Sequence, residues 1–264
     1  MKTPRVDLFQ STFWLIFIAV TVFMLMLLGG LFLYGKWATF ITVFQHPEFR
    51  FAVGFTLWTT LLATLIAALV ALPCGFILSR YKFPGRVVID TLLDVPIVLP
   101  PLVSGVALLI LFGPILGDTL SRLGIEIVFT TTGVVVAQWF VATPFAIKTF
   151  KYAFDSIDPR LEKVARTLGY PPRQVFFRVT IPLAKNGIIG GLTMTWARTL
   201  GEFGATAMLA GITRLKTETL SVAIFLNMSM GDIQFAIATA IIMLLVAIIL
   251  LIAFKSLTGS EVRI

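Results

Sequence analysis

Arg198 and Glu202 lie four positions apart in an otherwise apolar stretch, Ala197-Arg198-Thr199-Leu200-Gly201-Glu202-Phe203-Gly204-Ala205-Thr206. A charge at the centre of a hydrocarbon layer costs ~2.5–3.5 kcal/mol even on the gentler insertion scale, so each needs a partner or a task. Their spacing puts both on one helical face, where they can neutralise each other. Two chemistries are open: Arg198 attracts an oxyanion in a translocation path, or the pair locks its helix into a protein core. A strong anion trap in a path would also impede release. A second segment, Leu99-Pro100-Pro101-Leu102-Val103-Ser104-Gly105, offers the same choice. Pro100 and Pro101 break a helix and free backbone amides, which with the Ser104 hydroxyl could line an anion path. Alternatively, Gly105 and its small neighbours serve close helix packing.

Other chemistries find little support. Gly30-Leu31-Phe32-Leu33-Tyr34-Gly35-Lys36-Trp37 nearly spells a phosphate-binding loop, but Trp37 replaces the required Ser or Thr and the motif closes an apolar helix. No nucleotide or other cofactor site is therefore expected in this chain. An intramembrane enzyme would need a nucleophile–base pair or a metal cluster, yet there is no H-E-x-x-H or G-x-S-x-G, and His46 lies in a polar connector. A single cysteine, Cys74, leaves no disulfide framework or cysteine metal site. Neither catalysis nor a metal site is expected. Asn227-Met228-Ser229 has the form of a glycosylation sequon.

The elements that must carry these residues are membrane helices. Of 264 residues 58% are hydrophobic and only 13% charged, where a soluble domain is nearer one quarter charged. Mean hydropathy is +0.98. The apolar residues gather into six blocks, approximately Phe13–Tyr34, Phe51–Leu78, Pro96–Phe112, Val128–Phe150, Ile188–Leu209 and Ile233–Phe254. Each approaches or exceeds the ~20 residues that cross a ~30 Å hydrocarbon layer. The first block follows Lys2 and Arg5 like a signal peptide, but it is too long for a signal core and is read as a retained helix. The expectation is an all-α membrane protein of six spans forming a single domain over 1–264, with a core at about 51–254.

The net charge of +8 follows topology. With the N-terminus inside, Lys2, Arg5, Arg80, Lys82, Arg86, Lys148, Lys151, the basic residues from Arg160 to Lys185, Lys255 and Arg263 fall on the cytoplasmic side. Lys36, Arg50, Arg122, Arg214 and Lys216 fall outside. That is a positive-inside pattern and argues for lipid, not nucleic acid, as the partner of the charge. Gly187 and Gly191 give a face suited to close helix contact, and Pro144 a kink in span four.

The longest internal hydrophilic interval, about 151–186, is cytoplasmic on this topology. Asp158-Pro159 reads as an N-cap followed by proline at the first helical position. Leu161, Val164, Ala165 and Leu168 recur at helical spacing. Gly169 ends the helix and Pro171-Pro172 prevents its continuation. A second short helix is expected from Arg173 to Val179, stopping near Ile181-Pro182. This helix–turn–helix knob either lies on the bilayer surface or docks a protein.

The run Glu162-Lys163-Val164-Ala165-Arg166-Thr167-Leu168-Gly169 followed by Val179-Thr180-Ile181-Pro182 resembles the EAA loop of ABC importer permeases: E-A-A, three residues, Gly, nine residues, then I-x-L-P. Gly169 and Pro182 match, Val179 and Ile181 are apolar replacements, Lys163 stands where the family has Glu, and Glu162 comes one residue early. From Pro96 to Thr206 the chain also looks like the molybdate, tungstate and sulfate permeases. The resemblance implies a type I importer permease in a prokaryotic inner membrane with both termini cytoplasmic. It implies import of molybdate or tungstate, with sulfate or thiosulfate as the alternative. The implied partners are a second permease copy, two cytoplasmic ATPase subunits that hold ATP and Mg, and an external oxyanion-binding protein. It further implies that Ala165 and Gly169 allow close approach of the ATPase while Glu162 and Arg166 make rim contacts. A passive anion channel is the rival from another class, and would have no use for such a knob.

Overall fold

The computed structural model describes residues 8–257, in which all regular structure is helical. Lys2, Arg5 and Arg263, cited above for orientation, lie outside them. The chain begins with α1 (Leu8–Tyr34), a short α2 (Trp37–Val43) and the long α3 (Pro47–Arg80). It continues through α4 (Arg86–Val98), α5 (Pro101–Ile110), a π-helical turn at Leu111–Ile115, α6 (Gly117–Arg122) and α7 (Thr131–Asp155). The basic loop carries α8 (Pro159–Thr167), α9 (Pro172–Val175) and a π turn at Phe176–Thr180. Then come α10 (Ile181–Leu200), α11 (Gly204–Ala210), α12 (Leu220–Ser229) and α13 (Ile233–Leu257).

Four helices, α1, α3, α7 and α13, are long and apolar enough to cross a membrane alone. They correspond to the first, second, fourth and sixth blocks. The third block is not one straight helix: α4 and α5 meet at 111° and qualify as a span only together. Leu99 and Pro100 are extended at the corner, with ψ 135° for both, because a residue that precedes proline is driven from the helical region and proline itself donates no hydrogen bond. The fifth block breaks too, closing at Leu200 and reopening at Gly204. Alone, α10 falls short in apolarity since it carries Lys185, Asn186, Arg198 and several threonines.

Those threonines are interior residues. Thr195 and Thr199, both buried, donate to the carbonyls of Gly191 and Thr195 at 2.8 Å, as Thr56 and Thr60 of α3 do to Ala52 and Thr56. A hydroxyl satisfied one turn back can be buried without an external partner. Two longer bonds tie elements together: Trp196 Nε1 donates to Thr60 Oγ1 at 3.2 Å, and the Leu220 amide to Thr56 Oγ1 at 2.8 Å.

Helix α7 is the most buried of the long helices and packs against α3, α4, α5, α10 and α11. It runs unbroken through Pro144. The expected glycine face lies on α10 and packs against it: a methyl group added at Gly187 would stand 2.6 Å from Ala153 Cβ, and one at Gly191 2.7 Å from Thr149 Oγ1. A further cluster around Phe49, Leu220, Phe235 and Ile242 joins α3, α12 and α13. By contrast α1 contributes nothing buried and touches the bundle mainly at α13.

The connector after α11 holds a wholly buried carboxyl, Glu218, whose Oε2 accepts from the Leu215 amide at 3.0 Å while Oε1 has no partner. Burial pushes this carboxyl above the usual range, Glu48 adds to the rise, and the Leu215 amide and Arg214 oppose it. A raised carboxyl pKa means that the folded state holds the proton more tightly, so stability falls as pH rises from the unfolded value through the folded one. Glu218→Gln is therefore expected to melt higher than the parent above neutrality, with the difference shrinking toward pH 4. A gap that is constant with pH would count against this account. Gly187→Ala should lower the melting temperature, at a cost of about 1–3 kcal/mol for overpacking; an unchanged midpoint would show that α7 and α10 are not in close contact.

Candidate functional site

The basic loop is built as its sequence suggests at its start. Asp158 Oδ1 accepts from the Arg160 amide at 2.9 Å and Pro159 opens α8. At its end Gly169 takes φ +91°, its amide donates to Arg166 O at 3.0 Å, and the Tyr170 amide donates to Ala165 O at 3.2 Å. That bond pair is a Schellman closure, which needs the left-handed residue that glycine supplies most cheaply.

The next element departs from expectation. No stop occurs at Ile181-Pro182: α9, the π turn and α10 follow one another without interruption, and Pro182 sits in the first turn of α10. A proline inside a helix clashes with the carbonyl four residues back, here Arg178. That carbonyl lies in the wider π turn, which removes the conflict. The loop is thus one capped helix and the foot of a long one.

Glu162 is the second departure. It is not at a rim. Its Oε1 receives Arg80 Nε at 3.0 Å, Arg80 Nη2 at 2.9 Å and Thr180 Oγ1 at 3.1 Å, with both ionic side chains nearly buried. Arg80 also donates to Ser79 Oγ at 2.9 Å and Ile157 O at 3.3 Å. Ser79 reaches Asp155 Oδ1 at 2.6 Å, and Lys151 holds the other oxygen at 2.9 Å. One carboxylate thereby ties α8 to the ends of α3 and α10. Ala165 is the inward apolar residue of α8, whereas Leu161, Val164 and Leu168 are exposed, Leu168 at 73%. Lys163 and Arg166 are exposed beside them. The arrangement presents a greasy surface with basic flanks on a helix that cannot easily shift against the bundle.

The two intramembrane motifs come together. A methyl group on Gly105 would stand 2.8 Å from Ala205 Cα, and one on Gly204 2.9 Å from Pro101 Cβ, so α5 and α11 meet at backbone distance. Ser104 is buried there, its hydroxyl without a partner, while Pro100 and Pro101 are exposed at the corner. Arg198 Nη1 lies 2.8 Å from Glu202 Oε2, and Glu202 Oε1 accepts the Ala205 amide at 2.9 Å. Glu202 is 1% exposed and Arg198 29%, with the guanidinium 5.8 Å from the Phe145 ring. The carboxylate is fully employed in holding the helix break together, and the arginine keeps donors to spare.

Sequence reasoning missed Arg80 and Thr180 as partners of Glu162. It also missed a triad in which Lys148 of α7 lies 2.6 Å from Asp90 and 2.9 Å from Asp94 of α4. The signal for the triad was present, since Lys148 stood within an apolar block and Asp90 and Asp94 share the i,i+4 spacing. Asn227, in the sequon, is buried and donates to Ala223 O at 2.7 Å. Glu162→Ala strands the Arg80 charge and should destabilise the chain by about 3 kcal/mol, read as thermal unfolding in detergent, whereas Arg80→Met with Glu162→Leu should recover most of the loss. Equal losses in the single and double variants would refute the latch.

Residues 71–260 match the family of binding-protein-dependent transport system inner membrane components. The sulfate transport system permease protein CysT of Escherichia coli is 33% identical over 84% of this chain and 81% of its own length. The molybdenum transport system permease protein ModB of Mycobacterium tuberculosis is 34% identical over 93% of this chain and 94% of its own. Among solved structures, a bacterial ABC transporter that imports alginate superposes with TM-score 0.73 at 17% identity, covering 96% of this chain and 98% of that one. The inward-facing MetNI methionine transporter follows with TM-score 0.61 over 80% and 95%. Sequence and fold agree, and the chain belongs to the family of binding-protein-dependent transport system inner membrane components.

Proposed function

We propose that this chain is the permease subunit of an ATP-driven importer of a tetrahedral oxyanion, molybdate or tungstate before sulfate, delivered by an external binding protein. The observation that carries the coupling is the exposed face of α8, Leu161, Val164 and Leu168 flanked by Lys163 and Arg166, on a helix bolted to the bundle through Glu162. A separate ATPase subunit, holding ATP and Mg, docks on that face. Glu162 is a positioning residue, Gly169 closes the docking helix, and Ile181 and Pro182 lie near the foot of the continuous helix that carries motion upward. Two copies pair in an inner membrane with their termini and knobs on the cytoplasmic side, one knob per ATPase. Closure of the ATPases reorients the helices as rigid bodies. Support for the cargo comes from the relatives named for molybdenum and sulfate transport. Arg198, less than a third exposed and backed by Glu202, is the cation we assign to the anion path, with the Pro100-Pro101 corner beside the same packed unit.

The test is ATP hydrolysis by the chain reconstituted with its candidate ATPase and binding protein. Molybdate or tungstate should stimulate it, and Leu168→Asp should abolish ATPase association without lowering the melting temperature of the chain. Stimulation by sulfate alone would move the cargo to the sulfate branch. Anion flux independent of ATP would overturn the importer reading in favour of a passive channel.

A further inference from the structure

Arg80 and Arg198 each face one carboxylate, whereas Lys148 faces two: Asp90 Oδ1 at 2.6 Å and Asp94 Oδ2 at 2.9 Å. One would neutralise the ammonium. The second leaves the group with a net negative charge, and the other oxygen of Asp94, Oδ1, is shut from solvent with no hydrogen-bond partner. Holding α4 to α7 does not require this surplus, and burying an uncompensated charge is costly. Nor is the group sealed: 17% of Lys148, 32% of Asp90 and 39% of Asp94 remain exposed. All three belong to segments long and apolar enough to span a membrane. Charges at such positions turn to the bundle interior or to a watered cavity, not to lipid.

Arg198 is the neighbour on that face. Phe145 stands one turn before Lys148 on α7, and the Arg198 guanidinium lies 5.8 Å from its ring. Lys148 lies nearer the basic loop, since the adjoining Thr149 meets Gly191, about two turns before Arg198. Two cations therefore follow one another along α7, the first with donors to spare and the second covered. The cover can move. Helix α4 buries no residue of its own, leaves Val87, Leu92 and Val98 exposed, and ends at the 111° corner of Leu99 and Pro100.

We propose that Lys148 is a second oxyanion-binding residue, masked by Asp90 and Asp94 until α4 tilts away from α7. Two carboxylates around one ammonium carry the charge of one tetrahedral dianion, so the aspartates are an internal competitor for the cargo. Their withdrawal lets a dianion pass from Arg198 to Lys148, and their return expels it. An ammonium left open would hold the anion, whereas a transport site must release as well as bind. The inference rests on the oxyanion reading for its ligand. Its signature is binding by the chain alone, while that reading stands on stimulated ATP hydrolysis.

The experiment is equilibrium dialysis of radiolabelled molybdate, and of sulfate as a second probe, against the purified full chain in detergent at low ionic strength. Asp94→Asn should bind molybdate about tenfold more tightly than the parent, because one competing charge is gone. Asp90→Asn, which leaves the other carboxylate in place, should act in the same direction. Adding Lys148→Gln to either variant should remove the gain, and Asp94→Glu, which keeps the charge, should bind as weakly as the parent. Parent affinity in both Asp→Asn variants, or a gain that survives Lys148→Gln, would overturn the proposal. A gain for molybdate and sulfate in a chain whose assembly hydrolyses ATP no faster with either would uphold the masked site and overturn the cargo assignment.

Discussion

Helix α7 occupies the centre of the bundle only because its neighbours present so little bulk to it. Gly75 of α3 stands within about a methyl group of the α7 backbone at Ile147 and Lys151, and Gly187 and Gly191 of α10 come as close to Ala153 and to the Thr149 side chain. In lipid there is no hydrophobic gain from hiding one apolar helix against another, so the contact must be won by close van der Waals approach. The fold's other arrangements depend on that approach. It sets α10 near enough to α3 for Trp196 to reach Thr60, and it lets a polar, threonine-bearing helix sit inside a membrane protein at all.

A second rule governs several charges in the bundle, which pair with an opposite charge. Arg80 finds Glu162, Lys148 finds Asp90 and Asp94, and Arg198 finds Glu202. Each pair joins different things. Arg80 and Glu162 fasten a surface loop to the bundle. Lys148 fastens α4, a helix with no buried residue of its own, to α7. Arg198 and Glu202 stitch a helix break whose freed Ala205 amide also goes to the carboxylate. Removing one partner from such a pair leaves an uncompensated charge, which is more damaging than never having had the pair.

Much of this was readable in the chain. Long apolar blocks announce helices because lipid forbids other backbone, and the Arg198–Glu202 pair was legible because its two members are neighbours on one turn. The Pro100-Pro101 break was legible as a break, but not its angle, which is decided by α11 packing onto Gly105. Glu162 was misplaced because its partner Arg80 lies far away in sequence and nothing local names it. The loop's second helix was ended too early at Pro182, since the rule against interior proline takes no account of a π turn one residue before. Lys148 was read only as a cytoplasmic-side cation although the cost of a charge within an apolar block already demanded a carboxylate.

From Pro172 to Leu200 the backbone is helical without a gap, the π turn included, a rod of roughly 40 Å at the usual rise per residue. Its foot is clamped by Thr180 to Glu162, and its far end carries Arg198 and the Glu202 break. Such a rod is a crank. A tilt of about 3° at the foot swings the far end by about 2 Å over a rod of that length. The single extra residue of the π turn sets the phase of that crank, so its removal would rotate every side chain of α10 about the axis and point Arg198 at a different neighbour.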